Sequence, residues 1–463
     1  MRLSAIILAA GQGTRMKSSL PKVLHQILGR PMIGHVVGLA RAVHAQRIAV
    51  VVGHGRERVE ACLTDQEPGD DLGFALQAEQ LGTAHAVLQA RELLQDHQGM
   101  TLILSGDVPN IDPLTLQRFI DEAADARHPV AFVSCVVPDP TGYGRIVRDA
   151  QGQVLRNVEH RDATDEQRLI HEINAGVYLV DNAFLWTHRG AVGAANDQKE
   201  FYLPDLFELA LAQGGLTAFV APVAQEFEGI NTRAQLAAAE TFARARRNDA
   251  LMRAGVTMID PAATYVDAFA QVEPDVLIEP GVRVAGRSTV AAGCLLRQGA
   301  IVEDSTLEPG VEVLPYSHIV GSIVRQGARI GPFAHIRPLS DIGPGAKVGN
   351  FVEIKKSTLG AGTKASHLSY LGDATLGAGC NIGAGTITCN FDGDGKHPTV
   401  LEDGVFVGSN TALVAPLRLG RGAYIGAGST ITKDVPADSL GVARGRQRNI
   451  EGWVPRMRRR ERP

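Results

Sequence analysis

The chain has 463 residues, 44% of them apolar, and carries 46 Lys and Arg against 50 Asp and Glu for a net charge of −4. At about 150 residues per domain this length predicts two large domains or three ordinary ones, and the apolar content excludes a disordered chain. The charge gives no global reason to expect nucleic acid as a partner. No apolar run of about 18 residues offers a transmembrane helix, so no nucleic-acid partner and no membrane insertion are expected.

Met1 to Ala10 is short and apolar and runs into a glycine loop, so it reads as a first strand rather than a signal peptide. Five cysteines, Cys62, Cys135, Cys294, Cys380 and Cys389, are scattered and odd in number. They point to a reducing cytoplasm and away from a zinc site or a disulfide framework. Leu3–Ala10, Arg47–Gly53, Thr101–Ser105 and Val130–Val137 read as buried strands. Pro31–His44, Thr83–Leu94 and Pro113–Ala126 read as helices. This alternation predicts an α/β, Rossmann-like first domain over 1–231, a mostly parallel sheet with helices on both faces and ligands beyond the strand C-termini.

Several features mark that edge. Leu8-Ala9-Ala10-Gly11-Gln12-Gly13-Thr14-Arg15-Met16 leaves the first strand, and its glycines let backbone N–H groups approach phosphates. It is neither GxGxxG nor a Walker A loop, and a turn with surface charges shares the pattern. Arg15 and Lys22 supply positive charge beside it. Gln77 to Thr83 opens a helix with amide and hydroxyl groups suited to a base edge. Ser105-Gly106-Asp107 ends a strand where a carboxylate can hold Mg²⁺ near a triphosphate. Asp139 to Arg145 is in itself a turn signal.

Thr232–Ala254 contains no Gly or Pro and reads as one long helix linking two domains; a final helix packed on the first domain has the same composition. Beyond it the glycine content rises, with 29 of the 51 glycines in residues 256–463. Ile278, Val284, Val290, Leu296 and Val302 are spaced by six. So are Ile330, Ile336, Ile342, Val348 and Ile354, and Val407, Leu413, Leu419, Ile425 and Ile431. A period of six predicts a parallel β-helix of hexapeptide repeats over 255–463, with aliphatics pointing inward. His367 to Asp373 is read as a polar break in that pattern, and Asp392–Thr399 as a loop leaving the prism. Loops of this kind carry sites, and His367, whose neutral imidazole can accept a proton near pH 7, is the candidate base. Cys389 has no obvious paired base to make it a nucleophile. The tail from Gly441 carries eight Arg and two Glu. It reads either as a solvated tail or as an attraction for the phosphates of a ligand.

LAAGQGTRM, Pro21-Lys22, QAEQLGT, Gly106-Asp107, Asp139 to Arg145, Val158-Glu159-His160 and Glu172-Ile173-Asn174 resemble the sugar-nucleotide pyrophosphorylases. With the long helix, HLSYLGD and NIGAGTITCN, the order from Leu3 to Trp453 resembles the bacterial bifunctional N-acetylglucosamine-1-phosphate uridylyltransferase/glucosamine-1-phosphate N-acetyltransferases. The resemblance implies a left-handed β-helix, a homotrimer with acetyl sites between subunits, and supply of UDP-N-acetylglucosamine for peptidoglycan and lipopolysaccharide. It implies that Leu8, Ala9, Ala10, Gly11, Gln77, Gly82 and Thr83 bind the uridine and its phosphates, and that Ser105, Gly106 and Asp107 also contact UDP-N-acetylglucosamine. Lys22 balances phosphate charge, and Arg15 stabilises the transition state. Gly144, Glu159 and Asn174 hold the sugar, and Asp107 and Asn231 bind Mg²⁺. In the second half it implies that Arg337, Lys355, Tyr370 and Asn381 bind the sugar phosphate, and that Ala384, Asn390, Phe391, Ser409, Ala427 and Arg444 contact acetyl-CoA. His367 is then the catalytic base, with UTP and acetyl-CoA as co-substrates. Ser105 stands where the family has Tyr, Ala175 where it has Thr, Phe391 where it often has Tyr, and Leu339 where it has Gly. A nucleotidyltransferase with the β-helix as an oligomerisation or regulatory module is the alternative; His367, Asn381 and Asn390 argue against it. Arg15, Lys22 and Asp107 argue against a regulatory subunit with both sites dead.

Overall fold

The computed structural model describes residues 1–188 and 203–460. The chain divides into two compact units, Met1–Arg246 and Arg247–Pro463.

In the first unit, apolar runs without alternation become strands buried on both faces. Across the sheet the order is Leu216–Val220, Val130–Val136, Glu172–Asp181, Met100–Ser105, Leu3–Ala9, Ile48–Val52, Leu72–Leu76. All are parallel except Glu172–Asp181, which runs against both neighbours. That reversal brings the start of Glu172–Asp181 to the edge where the parallel strands end. A hairpin, Arg145–Arg148 with Val154–Val158, pairs onto the same strand. Alternate residues of the strands feed two cores: Ile7, Val50 and Leu102 pack on one side, Ile6, Val51 and Ile103 on the other.

The predicted helices appear as Met32–Ala42, Thr83–Gln89 and Pro113–Ala126, the last begun by the Asp112 side chain accepting from the Leu114 N–H, with Pro113 in the first turn. The expected helix Thr83–Leu94 breaks at Ala90, and Arg91–Leu94 is a separate turn.

Arg233–Arg253 is one helix, and the division between the units falls inside it. Its first turns belong to the first unit, where Ala239 and Ala243 pack with Ile27, Met32 and Ile230. Its last turns belong to the second, where Leu251 enters the core and the Asn248 amide donates to the carbonyls of Pro261 and Thr264.

The second unit is a left-handed parallel β-helix. Each coil gives one short strand to each of three parallel sheets, of 11, 10 and 9 strands among the described residues. The sixfold aliphatics are buried inside the prism. His367 to Asp373 is not a break. His367 ends the strand Lys364–His367, and Leu371 points inward six residues after Ala365. Only the next step shortens, to five, at Leu376. Asn390–Pro398 does leave the prism, between Ile387–Cys389 and Thr399–Leu401, and the register resumes with Leu376 opposite Leu401.

Candidate functional site

The glycine loop, the Gln77 segment and the Ser105 segment meet at one sheet edge. The Gly106 N–H donates to the Leu8 carbonyl at 2.8 Å, and the Gln80 amide to the Ala10 carbonyl at 2.7 Å. Gln77, only 5% exposed, donates to the Gly82 carbonyl at 3.2 Å and lies 3.1 Å from His85 Nδ1, which fixes its amide. Thr83 opens the helix Thr83–Gln89. A cavity of about 320 Å³ is lined here by Gln12, Gly53, His54, Leu76, Gln77 and Gln80. Gly13 is a required glycine: φ is +63°, and a Cβ there would lie 2.6 Å from Lys22 Cβ. Its absence lets the loop close over Lys22.

Four charged or amide side chains then converge. Lys22 Nζ lies 2.5 Å from Asp107 Oδ2 and 3.1 Å from Asn231 Oδ1, and Arg15 Nη2 donates to the same Asn231 oxygen at 2.8 Å. The Ile230 N–H donates to the Asp107 carbonyl, which brings Asn231 to the strand end. Asp107 and Asn231 thus turn a carboxylate and an amide oxygen toward one cation, here the lysine ammonium. Hard oxygen donors of this kind fit Mg²⁺, which keeps most of its shell for water and substrate phosphate. Among the described residues no group of three His, Cys, Asp or Glu forms a metal cage.

Beside this cluster lies a polar recess. The Asn174 N–H donates to the Gly144 carbonyl at 3.0 Å, and its amide donates to Tyr178 Oη at 2.8 Å. The Asn157 amide donates to Glu159 Oε1 at 2.9 Å. A Cβ on Gly144 would fall 2.5 Å from Asn157 Oδ1 and 2.9 Å from Glu159 Oε1, so this glycine leaves room for the two side chains. Burial raises the Glu159 pKa, against the Asn157 hydrogen bond. Ser105 is at the end of its strand, and Ala175 is buried.

In the second unit Arg337, Lys355 and Tyr370 stand on one outer face, on successive strands of one sheet. Arg337 pairs with Glu353 at 2.7 Å. Lys396, from the loop Asn390–Pro398, reaches the same place: with Arg337 it lowers the Lys355 pKa, Lys396 being the larger cause. Sequence reasoning missed Lys396 and Glu353, and only the path of the loop shows the first. The loop is held by Asp392, which accepts from the N–H groups of Asp394 and Gly395 and lies 2.6 Å from His397 Nε2; these contacts hold its carboxyl well below the usual range. Asn390 donates to Asp373 at 2.6 Å, and Phe391 is exposed.

Asn381 is not with Arg337, Lys355 and Tyr370. It stands on the adjoining face, in register with Lys364, and His367 ends that Lys364 strand. Ala384, Ser409 and Ala427 mark one corner over three coils: the Asn410 N–H donates to the Ala384 carbonyl, the Gly428 N–H to the Ser409 carbonyl, and Arg444 Nη1 to the Ala427 carbonyl at 2.8 Å. Tyr316, Phe333, Phe351 and Leu368 occupy corners with φ of +56°, +54°, +56° and +46°, although each is exposed. The three rings stack at 5.4 and 5.3 Å, and Gly299 sits beneath Tyr316.

A parallel sheet with a glycine loop and an Asp–Lys–Asn cluster at its strand ends, joined to a hexapeptide β-helix, defines a nucleotidyltransferase of the bifunctional class. The nucleotidyl transferase family model matches residues 4–222. A bifunctional GlmU protein of Anaeromyxobacter sp. (strain Fw109-5) is 50% identical over 456 residues, covering 98% of this chain and 93% of its own. Those of Stutzerimonas stutzeri (49% over 454 residues; 98% and 99%) and Brevibacillus brevis (45% over 459 residues; 99% and 98%) are similar along the same length. The chain belongs to the bifunctional GlmU family. It is a uridylyltransferase and acetyltransferase of UDP-N-acetylglucosamine synthesis, acting on small molecules, with nucleotide substrates and the divalent-metal dependence typical of the family. Among the described residues no helix is long and apolar enough to cross a membrane.

Proposed function

We propose that the sheet edge of the first unit is the uridylyl-transfer site and that the corner and face around His367 and Lys355 form the acetyl-transfer site. The observation that carries the first assignment is the convergence of Arg15, Lys22, Asp107 and Asn231 at the strand ends. Leu8 to Gly11 offer backbone to the nucleotide phosphates, and Gln77, Gly82 and Thr83 line the uracil side. Ser105 and Gly106 lead into the cluster, and Gly144, Glu159 and Asn174 hold N-acetylglucosamine 1-phosphate. The phosphate oxygen of the sugar phosphate attacks the α-phosphorus of UTP, and the bond to pyrophosphate breaks. Such transfer depends on in-line positioning and cationic stabilisation, which Lys22 and Arg15 supply. Asp107 and Asn231 are the residues to hold Mg²⁺, which supplies charge neutralisation for phosphate oxygens when bound.

In the second unit Arg337, Lys355, Lys396 and Tyr370 hold glucosamine 1-phosphate. His367 takes the proton as the amine attacks the thioester carbonyl, and CoA leaves as the thiol. Ala384, Asn390, Phe391, Ser409, Ala427 and Arg444 contact acetyl-CoA. Asn381 and His367 lie on a different face from Lys355, which supports a site completed by a second copy of the chain, in a homotrimer. The exposed ladder Tyr316, Phe333, Phe351 and Leu368 supports the same assembly. Five free cysteines support a cytoplasmic location.

Each activity is assayed on both His367→Ala and Lys22→Ala. The first variant is expected to lose acetyl transfer alone, and the second uridylyl transfer alone. Loss of both activities in either variant overturns the two-site assignment.

A further inference from the structure

Among the described residues Arg145 is the largest fully buried side chain, 1% exposed, and no carboxylate pairs with it. Its Nε has no partner. Its Nη1 donates to the Tyr143 carbonyl, and its Nη2 lies 3.1 Å from His160 Nδ1. A buried guanidinium without a carboxylate is costly, because desolvation of the charge is not offset by an ion pair. Burial accordingly lowers the Arg145 pKa, opposed at longer range by Asp139 and Glu159 and reinforced by Arg168. A hydrophobic side chain would fill the same space at less cost, so the placement calls for a reason.

The two anchors supply it. Tyr143 precedes Gly144, whose carbonyl accepts from Asn174. His160 follows Glu159, whose carbonyl accepts from the Asp162 N–H in a tight turn. Arg145 itself opens the strand Arg145–Arg148 and pairs in register with Val158 and Ile173. One planar, rigid fork therefore ties the turn carrying Gly144 to the turn carrying Glu159, and does so where the strand Arg145–Arg148 begins, opposite Ile173 and next to Asn174. A lysine ammonium donates from a single point on a flexible stem and lacks the spread and planar rigidity of this fork.

We infer that Arg145 is a positioning residue for uridylyl transfer: it sets the spacing of Gly144 and Glu159 so that both meet one N-acetylglucosamine 1-phosphate. The inference rests on the assignment of that recess to the sugar. Its effect falls on sugar phosphate and not on UTP, whose proposed residues lie at and just beyond the ends of the strands Leu3–Ala9, Leu72–Leu76 and Met100–Ser105 and at the start of the helix Thr83–Gln89.

The test is steady-state kinetics of the full-length protein with Arg145→Met, Arg145→Lys, His160→Ala, His160→Gln and Glu159→Gln. Arg145→Met and His160→Ala are expected to raise KM for N-acetylglucosamine 1-phosphate by about tenfold or more, with KM for UTP within about twofold. Arg145→Lys is expected to fall between Arg145→Met and the parent. His160→Gln, which keeps an acceptor for the guanidinium, is expected to restore most of the affinity. An unchanged sugar-phosphate KM in Arg145→Met, or equal rises for both substrates in Arg145→Met and His160→Ala, overturns the inference. If Arg145→Met does not fold, seen as lost UTP binding, the same split is read from the two His160 variants. Glu159→Gln separates the two levels: a silent Arg145 with a raised KM in Glu159→Gln sinks only the positioning role, whereas no effect in either removes the sugar assignment itself.

Discussion

Lys22 and Asp107, 85 residues apart in sequence, meet at 2.5 Å with both side chains mostly buried. Asp107→Ala leaves the cation without its carboxylate and the metal position with one protein oxygen. Uridylyl transfer is expected to fall by about a hundredfold or more in kcat, a loss of roughly 3 kcal/mol of transition-state stabilisation. Acetyl transfer by the same preparation is expected to be unchanged. Raising Mg²⁺ in the assay tests the metal role: partial rescue of Asp107→Asn, but not of Asp107→Ala, is the expected pattern.

Lys396 lowers the Lys355 pKa below its ordinary value near 10.5. Lys355 therefore loses its charge at a lower pH than a free lysine, and affinity for a sugar phosphate declines as pH rises through that lowered value. In Lys396→Ala the main cause of the depression is gone. KM for glucosamine 1-phosphate is expected to be higher at neutral pH, while its alkaline rise moves to higher pH. A profile of KM against pH above about 8 reads both changes. An alkaline limb that stays in place in Lys396→Ala refutes the coupling.

His35 is held neutral. Burial lowers its pKa to about 4, and its Nε2 lies 2.8 Å from the Ile27 carbonyl, so that nitrogen carries the proton. The unfolded chain binds a proton near pH 6.5, where the folded one does not. Stability from this site is complete above about 6.5 and is lost as pH falls toward 4, by about 3 kcal/mol over the full interval. Thermal unfolding of the parent and of His35→Gln between pH 4 and 7 is expected to show a shallower acid decline in the variant.

Phe333 sits at a corner with φ of +54°, a conformation that glycine takes freely and phenylalanine does not. Phe333→Gly relieves that strain, of order 1 kcal/mol, and removes the ring stacked between Tyr316 and Phe351. If the ladder holds subunits together, sedimentation shows the variant dissociating at higher concentration than the parent. Acetyl transfer falls with the fraction of trimer, while uridylyl transfer does not. A variant that stays fully assembled removes the ladder from the interface.

The hexad spacing was legible because inward positions of a prism admit little but aliphatics: Ile278, Val284 and Val290 are all fully buried. The first parallel strands were legible for a similar reason, as unbroken apolar runs. The helix Arg56–Gln66 was not, since Val59 and Leu63 are its only buried residues. Glu172–Asp181 was not read as a strand either. Its turn toward an antiparallel partner is set by the sheet, with nothing in its own side chains to announce it. Motif residues such as Lys22 and Asp107 could be named in advance, but their meeting could not. Arg145 looked like the end of a turn, and Lys396 like a surface loop residue, because burial and the path of a loop are tertiary facts.

Arg233–Arg253 begins in the core of one unit and ends in the core of the other, without a break. A gene encoding either unit alone must therefore cut a helix, and the site of the cut decides what survives. Ending before Ala239 strips packing from Ile27 and Met32, whereas starting after Leu251 uncaps the first coil. A cut between Arg246 and Arg247 leaves each fragment the helical turns that pack in its own core.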